Sequence, residues 1–129
     1  MYRNLYVYYT SNIVKMRIKI FSSFCGEDHA KKSMEELITP YINLNYGNFT
    51  DYDDFIYIVP ENDNSYTHVV IWNTAMPSIP SHIPKKNVIG LAFEPIVYLR
   101  LTPQFIEYAR RYIETYYIGD TNGLPKPFE

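Results

Sequence analysis

The sequence predicts one α/β domain with a largely parallel sheet and helices on both faces. Two segments, THVVIWN (67–73) and NVIGLAF (87–93), are unbroken apolar runs, the pattern of strands buried on both faces. Strand-like runs alternate with amphipathic helical patterns, and parallel strands need such crossovers. The length, 129 residues, suits one hydrophobic core.

Taken in order, residues 1–15 read as an extension or an added edge strand built from NLYVYYT, whose residues favour strands. The domain proper spans 16–129. In MRIKIFS, Ile18 and Ile20 alternate with Arg17 and Lys19, a period of two that predicts the first strand. SSFCGED makes a tight connection into a helix over about 29–39, with Asp28 as its N-cap. Met34, Leu37, Ile38 and Tyr41 recur on one face of that helix, and Pro40 stops or bends it.

Residues 43–54, rich in Asn, Asp and Gly, read as a loop, and FIYIV (55–59) as a short strand ended by Pro60. The segment TAMPSIPSHIPKK must be irregular, because its prolines cannot sit in a ladder. Thr102 followed by Pro103 is a helix start, a capping hydroxyl with proline at the first helical position. Phe105, Ile106, Ala109, Tyr112, Ile113 and Tyr116 form the apolar stripe of a helix near 103–115. A last short strand is read at 116–119, after which DTNGLPKPFE leaves the domain.

Composition narrows the function classes. Hydrophobic residues make up 47% and charged residues 20%, an ordinary soluble balance. The net charge of −2 and the scattering of 12 Lys and Arg argue against a nucleic-acid partner. One cysteine, Cys25, allows no intrachain disulfide. No apolar run approaches the ~20 residues that span a bilayer, and the start lacks a secretion signal, so a cytoplasmic location is expected.

In parallel sheets ligands gather outside the carboxyl ends of the strands. Three segments arrive there: 22–28, 73–76 and 93–98. Glu94 ends an apolar run and is followed at once by Pro95. A carboxylate at such a position, with apolar walls, can serve as a general base, or it can simply bond backbone amides in a turn. Gly26, leading into a helix, offers a weak anion or hydroxyl cradle, or is only the glycine that a βα turn needs. Cys25 has no nucleophile motif around it and reads as an inert thiol. His29, His68 and His82 lack metal-ligand spacing, so no metal and no cofactor held by this chain is expected. Trp72 is expected in the core beneath the ligand edge.

Three stretches carry a resemblance: MRIKIFSSFCGEDHAKKSMEELI, then YTHVVIWNTAMPSIPSHIPKKNVIGLAFEP, then FIEYARRYIETYYIGDTNGLPKPF. Together they resemble the amino-terminal half of glycosyltransferase family 10, the α-1,3/4-fucosyltransferases, and above all the fucosyltransferase-like proteins of large DNA viruses and some microbes. The resemblance covers residues 16–128 and is most specific at 87–95, the strand that ends in Glu-Pro. It implies one Rossmann-like half of a B-type glycosyltransferase, an inverting enzyme whose active site lies between two such halves.

It further implies that Glu94 is the catalytic base, in a cleft lined by Ser22, Asn73 and Tyr98 as acceptor-binding residues, with GDP-fucose as the donor. The family's donor-binding half would lie after residue 129. The chain therefore reads as an excised domain, a truncated gene product, or a half that has taken another job. The expected partners are a glycan acceptor and a donor-binding domain or a second copy. The alternative is a non-catalytic glycan- or protein-binding module that reuses the half-fold.

Overall fold

Side-chain alternation sorts each strand's residues between two faces, and the sheet that results is parallel throughout. The structure, a computed structural model, describes residues 16–23, 26–46, 56–121 and 123–129. Strands β1 (Met16–Ser22), β2 (Ile56–Ile58), β3 (His68–Trp72), β4 (Val88–Leu91) and β5 (Thr115–Tyr117) lie in the order β2-β1-β3-β4-β5. Every neighbouring pair is parallel. Helices α1 (Glu27–Tyr46), α2 (Ile96–Leu99) and α3 (Pro103–Tyr112) complete the described elements, with a 3₁₀ turn at Lys85–Asn87 leading into β4. This is the Rossmann-like α/β architecture that the apolar runs predict, with 69–72 and the 88–91 segment as inner strands.

Two cores sandwich the sheet. Val69 and Ile71 of β3, Val88 of β4 and Tyr116 of β5 face the larger one, which also holds Leu99, Phe105, Ala109 and Ile113 from the α2–α3 side. Val70 and Trp72 face the other way and meet Ile20, Ile58, and Ala30 and Met34 of α1. Period two in the strands and 3.6 in the helices produce this division. Thr102 caps α3 as its residue type predicts, its Oγ1 accepting from the Phe105 N–H at 3.1 Å.

The chain passes from β2 to β3 across β1 without a helix, and charged side chains hold that crossover down. Lys19 is buried, and its ammonium donates to the carbonyls of Pro60, Glu61 and Asp63. Arg17 pairs with Asp63 at 2.5 Å and reaches the Ser65 carbonyl. Ser65 hydrogen bonds, aided by Arg17, keep the Asp63 carboxyl below the usual carboxylate range. Lys19, on the face of β1 opposite Ile20, lies under the crossover, where three carbonyls offer a buried ammonium the acceptors it needs.

Several boundaries also move. The first helix begins at Glu27, with Ala30 N–H donating to Gly26 O, so Asp28 sits in the first turn and is not the cap. The helix does not end at Pro40 but runs to Tyr46, taking residues 43–46 out of the expected loop. A proline removes one rung of the ladder, and the neighbouring turns carry on here. Leu37 is 56% exposed and stands off the face that Ala30 and Met34 bury. The third helix ends at Tyr112, and Tyr112 is exposed, off the stripe that Phe105, Ala109 and Ile113 bury.

The largest correction concerns the tail. It does not leave the domain: Phe128 returns beside β5, Glu129 N–H donates to Tyr116 O and Tyr116 N–H donates to Pro127 O. Phe128 is buried, 5.0 Å from the Tyr116 ring and 6.4 Å from that of Phe105. The expected extension or edge strand over residues 1–15, and Cys25, lie outside the described residues.

Candidate functional site

The strand order places a topological switch between β1 and β3, whose chains continue to opposite sides of the sheet. At such points the connections diverge and leave a crevice at the carboxyl edge. Ser22 ends β1 in register with Trp72, which is itself in register with Leu91. The segments that follow Ser22, Trp72 and Leu91 therefore emerge side by side.

Asn73 organises this edge. It adopts a left-handed backbone with φ of 57°, a conformation asparagine tolerates better than most side chains. Its N–H donates to Leu91 O at 2.9 Å, its Oδ1 accepts from Phe93 N–H at 2.9 Å, and its carbonyl accepts from the Tyr116 hydroxyl at 2.7 Å. Burial pushes the Tyr116 hydroxyl's pKa up, which keeps that donor protonated. Next along, Thr74 N–H donates to Ser23 Oγ at 3.1 Å, and the two hydroxyl oxygens lie 3.3 Å apart. This small lattice ties the ends of β1, β3 and β4 together.

Asn73 is thus a framework residue, only 3% exposed, and does not line an open cleft as an acceptor-binding side chain would. Among the described residues its Nδ2 nonetheless has no hydrogen-bond partner, and neither has the buried indole N–H of Trp72. Trp72 does pack in the core beneath this edge.

Phe93 continues the parity of Ile89 and Leu91 onto the face of Trp72, and its ring lies 4.0 Å from the indole at a tilt of 38°. Unlike Trp72 it is 45% exposed. Glu94 follows, partly exposed, and its carboxylate makes no hydrogen bond or ion pair among the described residues. The turn reading, in which Glu94 bonds backbone amides, finds no such bond among the described residues. Pro95, with φ of −56° and ψ of 148°, then opens the single turn of α2. That turn drives Leu99 into the core and leaves Tyr98 69% exposed. The apolar run 96–99 was the signal for this turn.

The edge therefore brings together Ser22, Asn73 and the Phe93–Glu94 step, while Tyr98 stands out into solvent. The weaker candidates add little. A Cβ at Gly26 would meet nothing within 4 Å, so no close approach requires glycine there. His29 and His82 are exposed, and His68 Nδ1 lies 2.7 Å from Thr67 Oγ1. Among the described residues no group of three or more His, Cys, Asp or Glu could hold a metal, and no helix is long and apolar enough to cross a membrane.

A cavity of about 490 Å³ lies at the other edge, near the amino ends of β4 and β5, lined by Lys85, Arg110, Glu114 and Lys126 among others. Its cations are partly spent: Lys85 donates to Arg110 O at 2.8 Å, and Arg110 forks onto Glu107. Bonding to Arg110 lowers the Glu107 carboxyl's pKa. No family model, no curated protein and no solved structure matches this chain.

Proposed function

We propose that this chain is the acceptor-side half of an inverting, fucosyltransferase-like glycosyltransferase, with Glu94 as its general base. One observation carries the reading. At the carboxyl edge of an all-parallel sheet, after the strand next to the switch-point pair, Glu94 holds a partly exposed carboxylate with no partner among the described residues. Its backbone is fixed on one side by the Phe93–Asn73 hydrogen bond and on the other by Pro95. A free carboxylate on a fixed backbone is what abstraction of a weak hydroxyl's proton requires.

In the reaction, Glu94 takes the proton of an acceptor hydroxyl as that oxygen attacks the anomeric carbon of the donor sugar. The bond from that carbon to the nucleoside diphosphate breaks on the opposite face, and the configuration inverts. The donor, of the GDP-fucose type, is held by a second half whose cations neutralise the leaving diphosphate. A donor-binding domain is accordingly the partner of this edge.

The 129-residue chain alone should transfer no sugar from GDP-fucose to a lactosamine-type acceptor, and adding a donor-binding half should restore transfer. Transfer by the chain alone would refute the half-enzyme reading. A second reading, a non-catalytic glycan- or protein-binding module, is favoured by the exposure of Phe93, Tyr98 and Tyr117. On that reading no donor half restores transfer, and the chain associates with itself or another protein through this surface.

A further inference from the structure

The cavity of about 490 Å³ at the amino ends of β4 and β5 takes no part in the proposed sugar transfer, and its volume is that of a small-ligand site. Three separate stretches wall it. Lys85 comes from the 3₁₀ turn before β4, Arg110 and Glu114 from the end of α3 and the step into β5, and Lys126 and Glu129 from the returning tail. Backbone bonds hold the tail in place: Tyr116 N–H donates to Pro127 O and Ile118 N–H to Glu129 O, each at 2.9 Å.

The charges on these walls do not satisfy one another. Arg110 is already paired with Glu107 at 2.6 Å, and Lys85 uses one of its three donors on Arg110 O. The side chains of Glu114, Lys126 and Glu129 make no hydrogen bond or ion pair among the described residues. With Arg110 set against Glu107, two ammonium groups and two carboxylates remain on one cavity. A simple anion or a simple cation would meet repulsion there as well as attraction. A ligand with an ammonium group and an anionic group finds a complement for each.

We infer that this cavity binds a small dipolar molecule of the amino-acid type, its carboxylate met by Lys85 and Lys126 and its ammonium by Glu114 and Glu129. The inference is independent of the glycosyltransferase reading. Lys126 and Glu129 belong to the tail while Lys85 and Glu114 do not, so a bound ligand ties the tail to the sheet and favours its docked position. Tyr116 and Ile118 amides, which donate to tail carbonyls, report that docking.

Glycine, γ-aminobutyrate and 6-aminohexanoate, which space their two charges differently, are titrated into the full chain by heteronuclear NMR at low salt. Butyrate and butylamine serve as single-charge controls. At least one zwitterion should shift the Tyr116 and Ile118 amides saturably, with a midpoint of about 1–10 mM and roughly tenfold below either control. At about ten times its midpoint, the same ligand should slow exchange of those two amides about tenfold, as binding to the docked tail alone requires. Lys126→Ala and Glu114→Gln, both at exposed positions, should each raise the midpoint about threefold or more. No saturable shift with any of the three up to about 100 mM overturns the inference. So does a control that binds as tightly as the best zwitterion, which makes this a site for one charge only. A midpoint that neither variant moves also overturns it, because the ligand then sits elsewhere.

Discussion

The face of the sheet under α3 and the carboxyl edge around Glu94 are built on opposite terms. Under α3, Phe105, Tyr116 and Phe128 interlock with ring centroids 5.0–6.4 Å apart, and Ile113 and Ala109 close the gaps. The Tyr116 hydroxyl is satisfied, and the returning tail seals the side of β5. At the carboxyl edge two buried donors lack acceptors among the described residues, Asn73 sits in the left-handed region, and large aromatics face solvent. The same tyrosine serves both: its ring fills the core and its hydroxyl holds Asn73. Stability is concentrated on one side of this contact, and the reactive groups stand on the other.

Substitutions under α3 should therefore be costly, and the largest effect belongs to Phe105. Its truncation to alanine removes the ring that meets Tyr116 and Phe128, and should lower the unfolding free energy by about 3–5 kcal/mol in a urea titration. A loss below about 1 kcal/mol would break the contrast.

Gly90 comes next. A Cβ there would stand 2.1 Å from Tyr116 Cδ2, in a ring that is fully buried. Gly90→Ala should cost about 1–3 kcal/mol by overpacking. Because Tyr116 also holds Asn73, the variant should perturb Trp72 fluorescence as well, and an unchanged spectrum would separate the two regions more sharply than proposed here.

This coupling marks the limit of what the sequence discloses. The inner strands were legible because β3 and β4 are continuous apolar runs, and α3 because Thr102-Pro103 is a local signal. Glu94 was legible as a carboxylate closing an apolar run, although the strand itself stops at Leu91, three residues earlier. The return of Phe128 was not, because it depends on Tyr116 and Phe105, while the prolines at 125 and 127 read locally as an exit. Burial of Lys19 depends on carbonyls about 40 residues away, and the role of Asn73 on a hydrogen bond to a residue 20 positions on. Contacts of that range leave no periodicity to read.

A smaller effect lies on the amino-proximal part of β3. Burial lowers the pKa of His68 from its usual 6.5. The folded state then resists a proton that the unfolded chain accepts, so its stability is full above about pH 6.5 and declines as the pH falls below it. His68→Gln should flatten the decline in urea midpoint between pH 7.5 and 5.5. A decline of the same steepness in the variant would assign it to other groups. At the carboxyl edge itself, Glu94→Gln should change stability by no more than about 0.5 kcal/mol, since its carboxylate has no partner to lose among the described residues.

That last variant also tests the central claim most directly. In an enzyme that joins this chain to a donor-binding half, Glu94→Gln keeps the size of the side chain and removes the base. The rate of sugar transfer should fall about 10²–10⁴-fold, the usual contribution of a general base, while the thermal midpoint holds. Turnover equal to that of the unsubstituted enzyme would contradict the account and leave Glu94 an ordinary residue at a strand end.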